Sequence, residues 1–483
     1  MATYEPVIGL EVHAELLTES KMFCGCPVVD STSAQPNTTV CAICSAQPGV
    51  LPVINKKAVE YGIMVGLALN CRINEFSQFA RKSYFYPDLP KGYQISQYEF
   101  PLSSNGWLDI DLPDGSSKRI AIRRAHLEED TGKSFHVGDH SLIDLNRAGV
   151  PLLEIVSEPD LRTVEEVEAY ARKLRSILVY LGVNHGDMSK GVLRFEANVS
   201  LRPAGSHEFN TRTEIKNLNS IRSLVRATKY EIQRQTALAE ASKPVIQQTM
   251  GFNEQTGETV TQRIKEEADD YRYFPEPDLP PVYVTEAWVE EIRAGLPELP
   301  DAKRLRFVEK LGLSTQDAEV LVADKAVADY FESVLRAGGE AKSAANWVTG
   351  ELFRLMNTAT IVIQQVKIQP ADLVELIKLV EARTISTTTA KEVFAEMFET
   401  GAGPQAIVES KGLAQISDES ALVSIVERII EANPSEVGSY LSGKETLIGW
   451  FVGQAMKETK GQGNVQVLNQ LFRERLEAQR QGQ

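Results

Sequence analysis

The chain has 483 residues, 43% hydrophobic and 24% charged, an ordinary globular composition that excludes collagen-like, coiled-coil and disordered classes. At roughly 150 residues per domain it holds two to four domains. Lys and Arg number 51 against 66 Asp and Glu, a net charge of −15, so any polyanion must meet a local basic face.

No apolar run reaches the ~18 residues of a membrane helix. The first ten residues carry Glu5 and Pro6 and no basic region, so neither a leader nor a membrane partner is expected, and the location is expected to be cytoplasmic. In chain order, Val7 to Leu16 alternates strictly. Ile8, Leu10, Val12, Ala14 and Leu16 share one face, while Gly9, Glu11, His13 and Glu15 share the other, which predicts a strand with one apolar side and an imidazole between two carboxylates.

Cys24-x-Cys26 and Cys41-x-x-Cys44 follow. Two close pairs can supply the four soft ligands of a tetrahedral zinc site, and four protein ligands leave no open position, so its role would be structural. The alternative is four free thiols, and no disulfide framework is expected from an odd cysteine count. Cys71 stands alone beside an apolar stretch and reads as a small buried hydrophobe.

Residues 81–93, Arg-Lys-Ser-Tyr-Phe-Tyr-Pro-Asp-Leu-Pro-Lys-Gly-Tyr, interleave cations and rings. The composition suits base or ribose stacking with a phosphate contact, and equally a rigid Pro-rich loop packed on the core. Tyr271 to Pro280 repeats the texture behind the acidic run Glu266 to Asp270.

Carboxylates recur around His13, in His126-Leu127-Glu128-Glu129-Asp130, at Glu154 within an apolar run, and at Glu196. Each alone reads as a solvated acid. Gathered on one sheet face they would repel one another unless a cation lay between them, and Mg²⁺, which seeks oxygen and bridges to phosphates, suits them. Gly132-Lys133-Ser134 resembles the end of a phosphate loop, but Leu127 stands where its first glycine is required.

Thr163 with Glu166 predicts a capping box, followed by Val167, Tyr170, Leu174, Ile177, Leu178 and Leu181 at helical spacing and a stop at Gly182. Val192 to Leu201 alternates like the first strand, so the two predict an antiparallel sheet with one polar face. Gly295 to Pro300 contains two prolines and predicts a hinge, beyond which the chain reads as helical, with a second break at Gly401 to Pro404. From Val437 onward six cations oppose four acids, and the turn Lys457 to Gly463 suits contact with a phosphate backbone, although a solvated helical face is the commoner meaning.

As a set, Val7 to His13, Tyr84 to Tyr98, His126 to Ser134, Asp144 to Arg147 with Glu154 to Asp160, and Asp270 to Asp278 closely resemble the GatB/GatE family of tRNA-dependent Asp/Glu amidotransferase components. The resemblance spans essentially the whole chain. It implies an α+β fold: a glutamine synthetase-like antiparallel-sheet cradle over residues 1–297, an all-α domain over 298–408 and an all-α YqeY-like tRNA-binding tail over 409–483.

The implied activity is that of a carbon–nitrogen ligase. ATP and Mg²⁺ would phosphorylate the side-chain carboxylate of misacylated Glu-tRNA(Gln) or Asp-tRNA(Asn), and ammonia would displace the phosphate. No glutaminase constellation is found in the chain; the resemblance implies that ammonia comes from a GatA-type amidase, with a small GatC-type protein bracing the pair in a heterotrimer. Carried over by position, Glu11, His13, Glu129 and Glu154 would hold Mg²⁺, while alternation alone puts Glu128 on the face of His126. Lys82, Tyr84 and Tyr93 fall at the substrate-end pocket, and Lys457 and Lys460 on the tRNA-facing tail. Zinc at Cys24, Cys26, Cys41 and Cys44 rests on spacing. A non-catalytic tRNA scaffold and a zinc-dependent hydrolase are the competing readings.

Overall fold

The computed structural model describes residues 4–264, 271–414, 419–459 and 462–481. The chain divides into two compact units, Met1–Pro300 and Asp301–Gln483. The strands of the first unit are β1 Tyr4–Glu15, β2 Arg72–Ile73, β3 Phe76–Ser77, β4 Phe79–Ser83, β5 Tyr93–Gln97, β6 Ser103–Asp111, β7 Ser117–Glu129, β8 Lys133–Val137, β9 His140–Asp144, β10 Pro151–Ser157, β11 Leu193–Pro203, β12 Thr213–Leu218, β13 Gln248–Asn253, β14 Glu258–Ile264, β15 Phe274–Pro275 and β16 Val282–Tyr283. Nine of them form one sheet in the order β14-β13-β12-β11-β1-β10-β7-β6-β2. Within it β12 and β13 run parallel and every other neighbouring pair is antiparallel.

Both alternating segments are strands of this sheet, and β1 and β11 are direct neighbours at its centre. Ile8, Leu10, Val12 and Ala14 on β1 meet Leu193, Phe195, Ala197 and Val199 on β11 in one buried cluster. Each large aliphatic or aromatic side chain buried there stabilises the fold by about 1.5–3 kcal/mol.

Helices α1 Lys56–Ala68, α2 Val164–Tyr180 and α3 Ile221–Glu240 pack into the same core, together with residues of β6, β7 and β10. In α1, Gly62 and Gly66 allow a close approach to the sheet. A Cβ at Gly62 would lie 2.6 Å from Leu102 Cδ2, and one at Gly66 would lie 2.7 Å from Ile73 Cδ1. Helix α2 begins as expected, with Thr163 Oγ1 accepting from Glu166 N at 3.1 Å. The return half of the capping box differs: Glu166 Oε2 accepts from Arg162 N, one residue beyond the cap, and pairs with Lys118 on β7 at 2.8 Å. Gly182 ends this helix in the left-handed conformation, φ +70°.

Helix α3 is pinned by a buried carboxylate. Glu231 accepts from Thr213 Oγ1 at 2.6 Å, Gln235 Nε2 at 2.8 Å, Thr259 Oγ1 at 3.1 Å and Arg234 Nη2 at 2.7 Å. Burial would raise its pKa, but the bonds from Arg234, Thr213 and Gln235 outweigh it and hold the carboxyl below its usual value. A carboxylate with a lowered folded-state pKa contributes stability above its unfolded pKa of about 4.3, and that contribution disappears as pH falls through the folded value. Glu231→Ala is therefore expected to cost about 3 kcal/mol near neutrality, by removing the carboxylate that Arg234, Thr213, Gln235 and Thr259 share, and less at pH 3. Denaturant unfolding at the two pH values checks both the size and its decline.

The second unit is helical from Pro300–Glu309 to Val465–Gln481. Its described residues gather into two apolar clusters. One is built around Phe307, Phe331, Leu352 and Phe394, and the other around Leu422, Phe451, Leu468 and Phe472. No helix among the described residues is long and apolar enough to cross a membrane.

Candidate functional site

The polar face of the sheet opens into a cleft of about 820 Å³. Strand register decides which side chains meet there. His13 pairs with Arg194 on β11 and Glu154 on β10, and Glu154 in turn pairs with His126 on β7. One row across four strands therefore reads Arg194–His13–Glu154–His126. The next row reads Glu196–Glu11–Val156–Arg124. In a third, Glu214 of β12 pairs with Asn198, and Asn198 with Gly9.

Two ligand sets result. His13, Glu128 and Glu154 bring one ligand atom each within 4.8 Å of one another, as do Glu11, Glu196 and Glu214. In the first set, His13 Nε2 lies 3.4 Å from Glu154 Oε2 and 3.7 Å from Glu128 Oε1. His126 Nε2 is 3.5 Å from the same Glu154 oxygen, and the Nδ1 atoms of both histidines are buried without a hydrogen-bond partner. Burial opposes charge on His13, but the bond and charge of Glu154, with Glu196 and Glu128, raise its pKa to about 9. Burial keeps His126 neutral, with a pKa of about 3. Burial and the Glu154 charge push Glu128 up, whereas the two histidines and Lys82 outweigh burial and hold Glu154 well down. In the second set, Lys216 Nζ lies 2.8 Å from Glu196 and 3.7 Å from Glu214, and Asn198 Nδ2 donates to Glu11 at 2.9 Å.

Glu129 is not brought into either set, contrary to the placement the resemblance implied. Adjacent residues on a strand point to opposite faces, so Glu128 shares the cleft face with His126 and Glu129 does not. Glu129 instead accepts from Lys91 Nζ at 2.5 Å and Ile95 N at 2.9 Å, while its backbone carbonyl accepts from Gln94 Nε2 at 2.7 Å. It ties β7 to the start of β5 and to the loop before it. Glu11 lies in the cleft but in the second carboxylate set, apart from His13, Glu128 and Glu154.

Lys82 lines the cleft, and its Nζ sits 5.1 Å from the Tyr271 ring. Burial opposes its charge, but Tyr273, Glu128 and Glu154 outweigh it and raise its pKa, so it stays an ammonium. Tyr84 packs edge-on against Tyr271, and its hydroxyl donates to Gln94 Oε1 at 3.3 Å. Tyr93 turns elsewhere and lies under the Arg81 guanidinium at 4.3 Å, with Arg81 held in turn by Glu276 at 2.7 Å. Lys457 is exposed near the end of the helix Ile448–Glu458, and Lys460 lies outside the described residues.

The four paired cysteines converge. Cys44 Sγ lies 3.4 Å from Cys24, 3.8 Å from Cys41 and 3.8 Å from Cys26. Tetrahedral zinc at ~2.3 Å from each sulfur separates neighbouring sulfurs by about 3.8 Å, so the set fits zinc. The hydrogen bond from Cys24 and the field of Lys21 lower the Cys44 pKa to about 4 despite burial. Lys21 is fully buried, with Nζ 3.5 Å from Cys44 Sγ and 3.2 Å from Leu145 O. The loop between the pairs docks on the segment that enters β10: Asn37 N donates to Asp144 at 2.9 Å, and Thr39 N donates to Asn146 at 3.0 Å.

Comparison with known proteins gives the same answer from both parts of the chain. Residues 6–290 match the GatB/GatE catalytic domain and residues 329–476 match the GatB domain. The B subunit of the aspartyl/glutamyl-tRNA(Asn/Gln) amidotransferase of Thermodesulfovibrio yellowstonii is 54% identical over 470 residues, covering 97% of this chain and 98% of that protein. The proteins of the same description from Caldanaerobacter subterraneus and Geobacter sulfurreducens are 54% and 52% identical over 474 and 478 residues, each covering 98% of this chain and 99% of the relative. The chain belongs to the GatB family of tRNA-dependent amidotransferase subunits.

Proposed function

We propose that this protein activates the side-chain carboxylate of misacylated Glu-tRNA(Gln), Asp-tRNA(Asn) or both. The γ-phosphoryl group of ATP passes to the carboxylate oxygen with release of ADP. Ammonia then attacks the acyl carbon, the bond to phosphate breaks, and the amide forms after loss of a proton. A carboxylate is a poor electrophile with a poor leaving group, which is why the step needs activation. The observation that carries the reading is the gathering of five carboxylates and two imidazoles on the polar sheet face, all but Glu128 lining a single cleft beside the half-buried ammonium of Lys82.

The donor set fits a hard divalent cation. His13, Glu128 and Glu154 would hold Mg²⁺, with Glu11, Glu196 and Glu214 as a second carboxylate-rich set. Bound there, Mg²⁺ would supply neutralisation of phosphoryl charge. Lys82 keeps a fixed positive charge at the same place. The Tyr271 and Tyr273 rings wall the cleft and offer faces to the terminal base or ribose. Tyr84 supports that wall from behind, and Tyr93 steadies the Arg81–Glu276 pair.

The cradle is read as glutamine synthetase-like and the cysteine cluster as structural zinc. The tail, with Lys457 and Lys460, is read as a tRNA contact. Each of the relatives is named as one subunit of an amidotransferase, which supports a complex of several subunits, and we read it as a heterotrimer with a GatA-type glutaminase and a GatC-type protein. Four cysteines leave a zinc ion no exchangeable position, which disfavours the hydrolase reading. The complex should release ADP in step with amide formation, only with misacylated tRNA and Mg²⁺ present. Amide formation with no ADP would leave the scaffold reading standing.

A further inference from the structure

Strand β7 carries three arginines that meet different fates. Arg119 makes a fork to Asp109 at 2.7 and 2.9 Å, and Arg123 a fork to Glu158 at 2.9 and 2.7 Å. Arg124 shares the cleft face with His126 and Glu128 and lines the cleft. Among the described residues it makes no ion pair, and its Nε is buried with no hydrogen-bond partner. The arginine of the adjacent row is different, since Arg194 is taken up by Asp130 at 2.9 Å and Glu15 at 3.6 Å. One aromatic ring flanks Arg124. Its guanidinium lies 5.7 Å from the Tyr98 ring, which stacks on Tyr273 at 4.2 Å and 8°.

A guanidinium with a buried, unpartnered Nε and no carboxylate partner among the described residues, at the rim of a carboxylate-rich cleft, keeps its donors open to an entering oxyanion. We propose that Arg124 is an oxyanion-binding residue that takes two oxygens of a reactant, either a nucleotide phosphate or the side-chain carboxylate being activated. The inference deepens the phosphoryl-transfer reading and rests on it. Lys82 offers a point charge, whereas Arg124 offers directional donors that fix the orientation of the entering group.

The test uses the full chain assembled with its partner subunits. ADP release and amide formation are measured while ATP and misacylated tRNA are varied separately. Arg124→Gln is expected to lower kcat/KM by on the order of 10²-fold or more. Arg124→Lys keeps the charge over the Tyr98 ring without the fork and should recover part of that loss. Methylguanidinium should restore part of the activity of Arg124→Ala, which a packing role would not allow. A rise in KM for ATP alone assigns the nucleotide, and a rise for misacylated tRNA alone assigns the side-chain carboxylate.

Kinetics of Arg124→Gln and Arg124→Lys within twofold of the parent, in a preparation where Glu154→Gln is inactive, would overturn the inference and leave the phosphoryl-transfer reading intact. A fully active Glu154→Gln would remove both. If Arg124→Gln fails to fold by its thermal melt, Arg124→Lys decides by the same criteria.

Discussion

Replacing Glu154 with glutamine should reduce ATP-dependent amidation by at least ~10³-fold while misacylated tRNA still binds. Glu154 is the hub of the first ligand set. One of its oxygens lies 3.4 Å from His13 and 3.5 Å from His126. The amide keeps the shape and removes the charge, so loss of turnover with an unchanged melting profile separates chemistry from folding. Glu128→Gln should behave alike. Glu129→Gln should not, because Glu129 anchors Lys91 and Ile95 outside both ligand sets. Its expected signature is a modest loss expressed mainly in KM for tRNA. A Glu129 variant as inactive as the Glu154 one, with Glu128→Gln active, would reverse the assignment.

Cys44→Ser should release zinc and destabilise the whole first unit. Cys44 lies within 3.4–3.8 Å of all three other sulfurs, so its loss opens the centre of the set. Structural zinc contributes an apparent ~10–16 kcal/mol in small zinc-binding peptides, so even part of that exceeds the usual margin of a domain. The effect should reach the cleft, because the loop between the cysteine pairs holds Asp144 and Asn146 just before β10, which carries Glu154. Metal analysis by mass spectrometry should show one zinc per chain in the parent and none in the variant, and the melting temperature should drop by many degrees. Zinc-free parent protein with an unchanged melt would refute the structural role.

Much of the scaffold was legible from period alone. Ile8, Leu10, Val12 and Ala14 have the spacing of a strand facing a core, and in the fold none of them is more than 1% exposed. Helix α2 is equally local, because its capping threonine, its stripe and Gly182 lie within twenty residues of one another. The cap's second half was not, since Lys118, far away in sequence, draws Glu166 aside. Alternation also separates Glu128 from Glu129, and that local signal agrees with the structure where the family placement does not. Glu214 and Lys216 were missed because β12 is short and its partner β11 is reached only through pairing. Arg124 was missed because nothing in Arg123-Arg124 tells which arginine meets an acid.

By itself the sequence determined the alternation, the helix signals, the cysteine spacing and the family motifs, all set by neighbours along the chain. Only the tertiary structure decided that Glu154 sits between two histidines, that Glu11 joins Glu196 and Glu214 rather than His13, and that Glu129 braces a loop. Those outcomes depend on the register between strands far apart in the chain, and a slip of one residue by any strand would carry that strand's carboxylates to the other face.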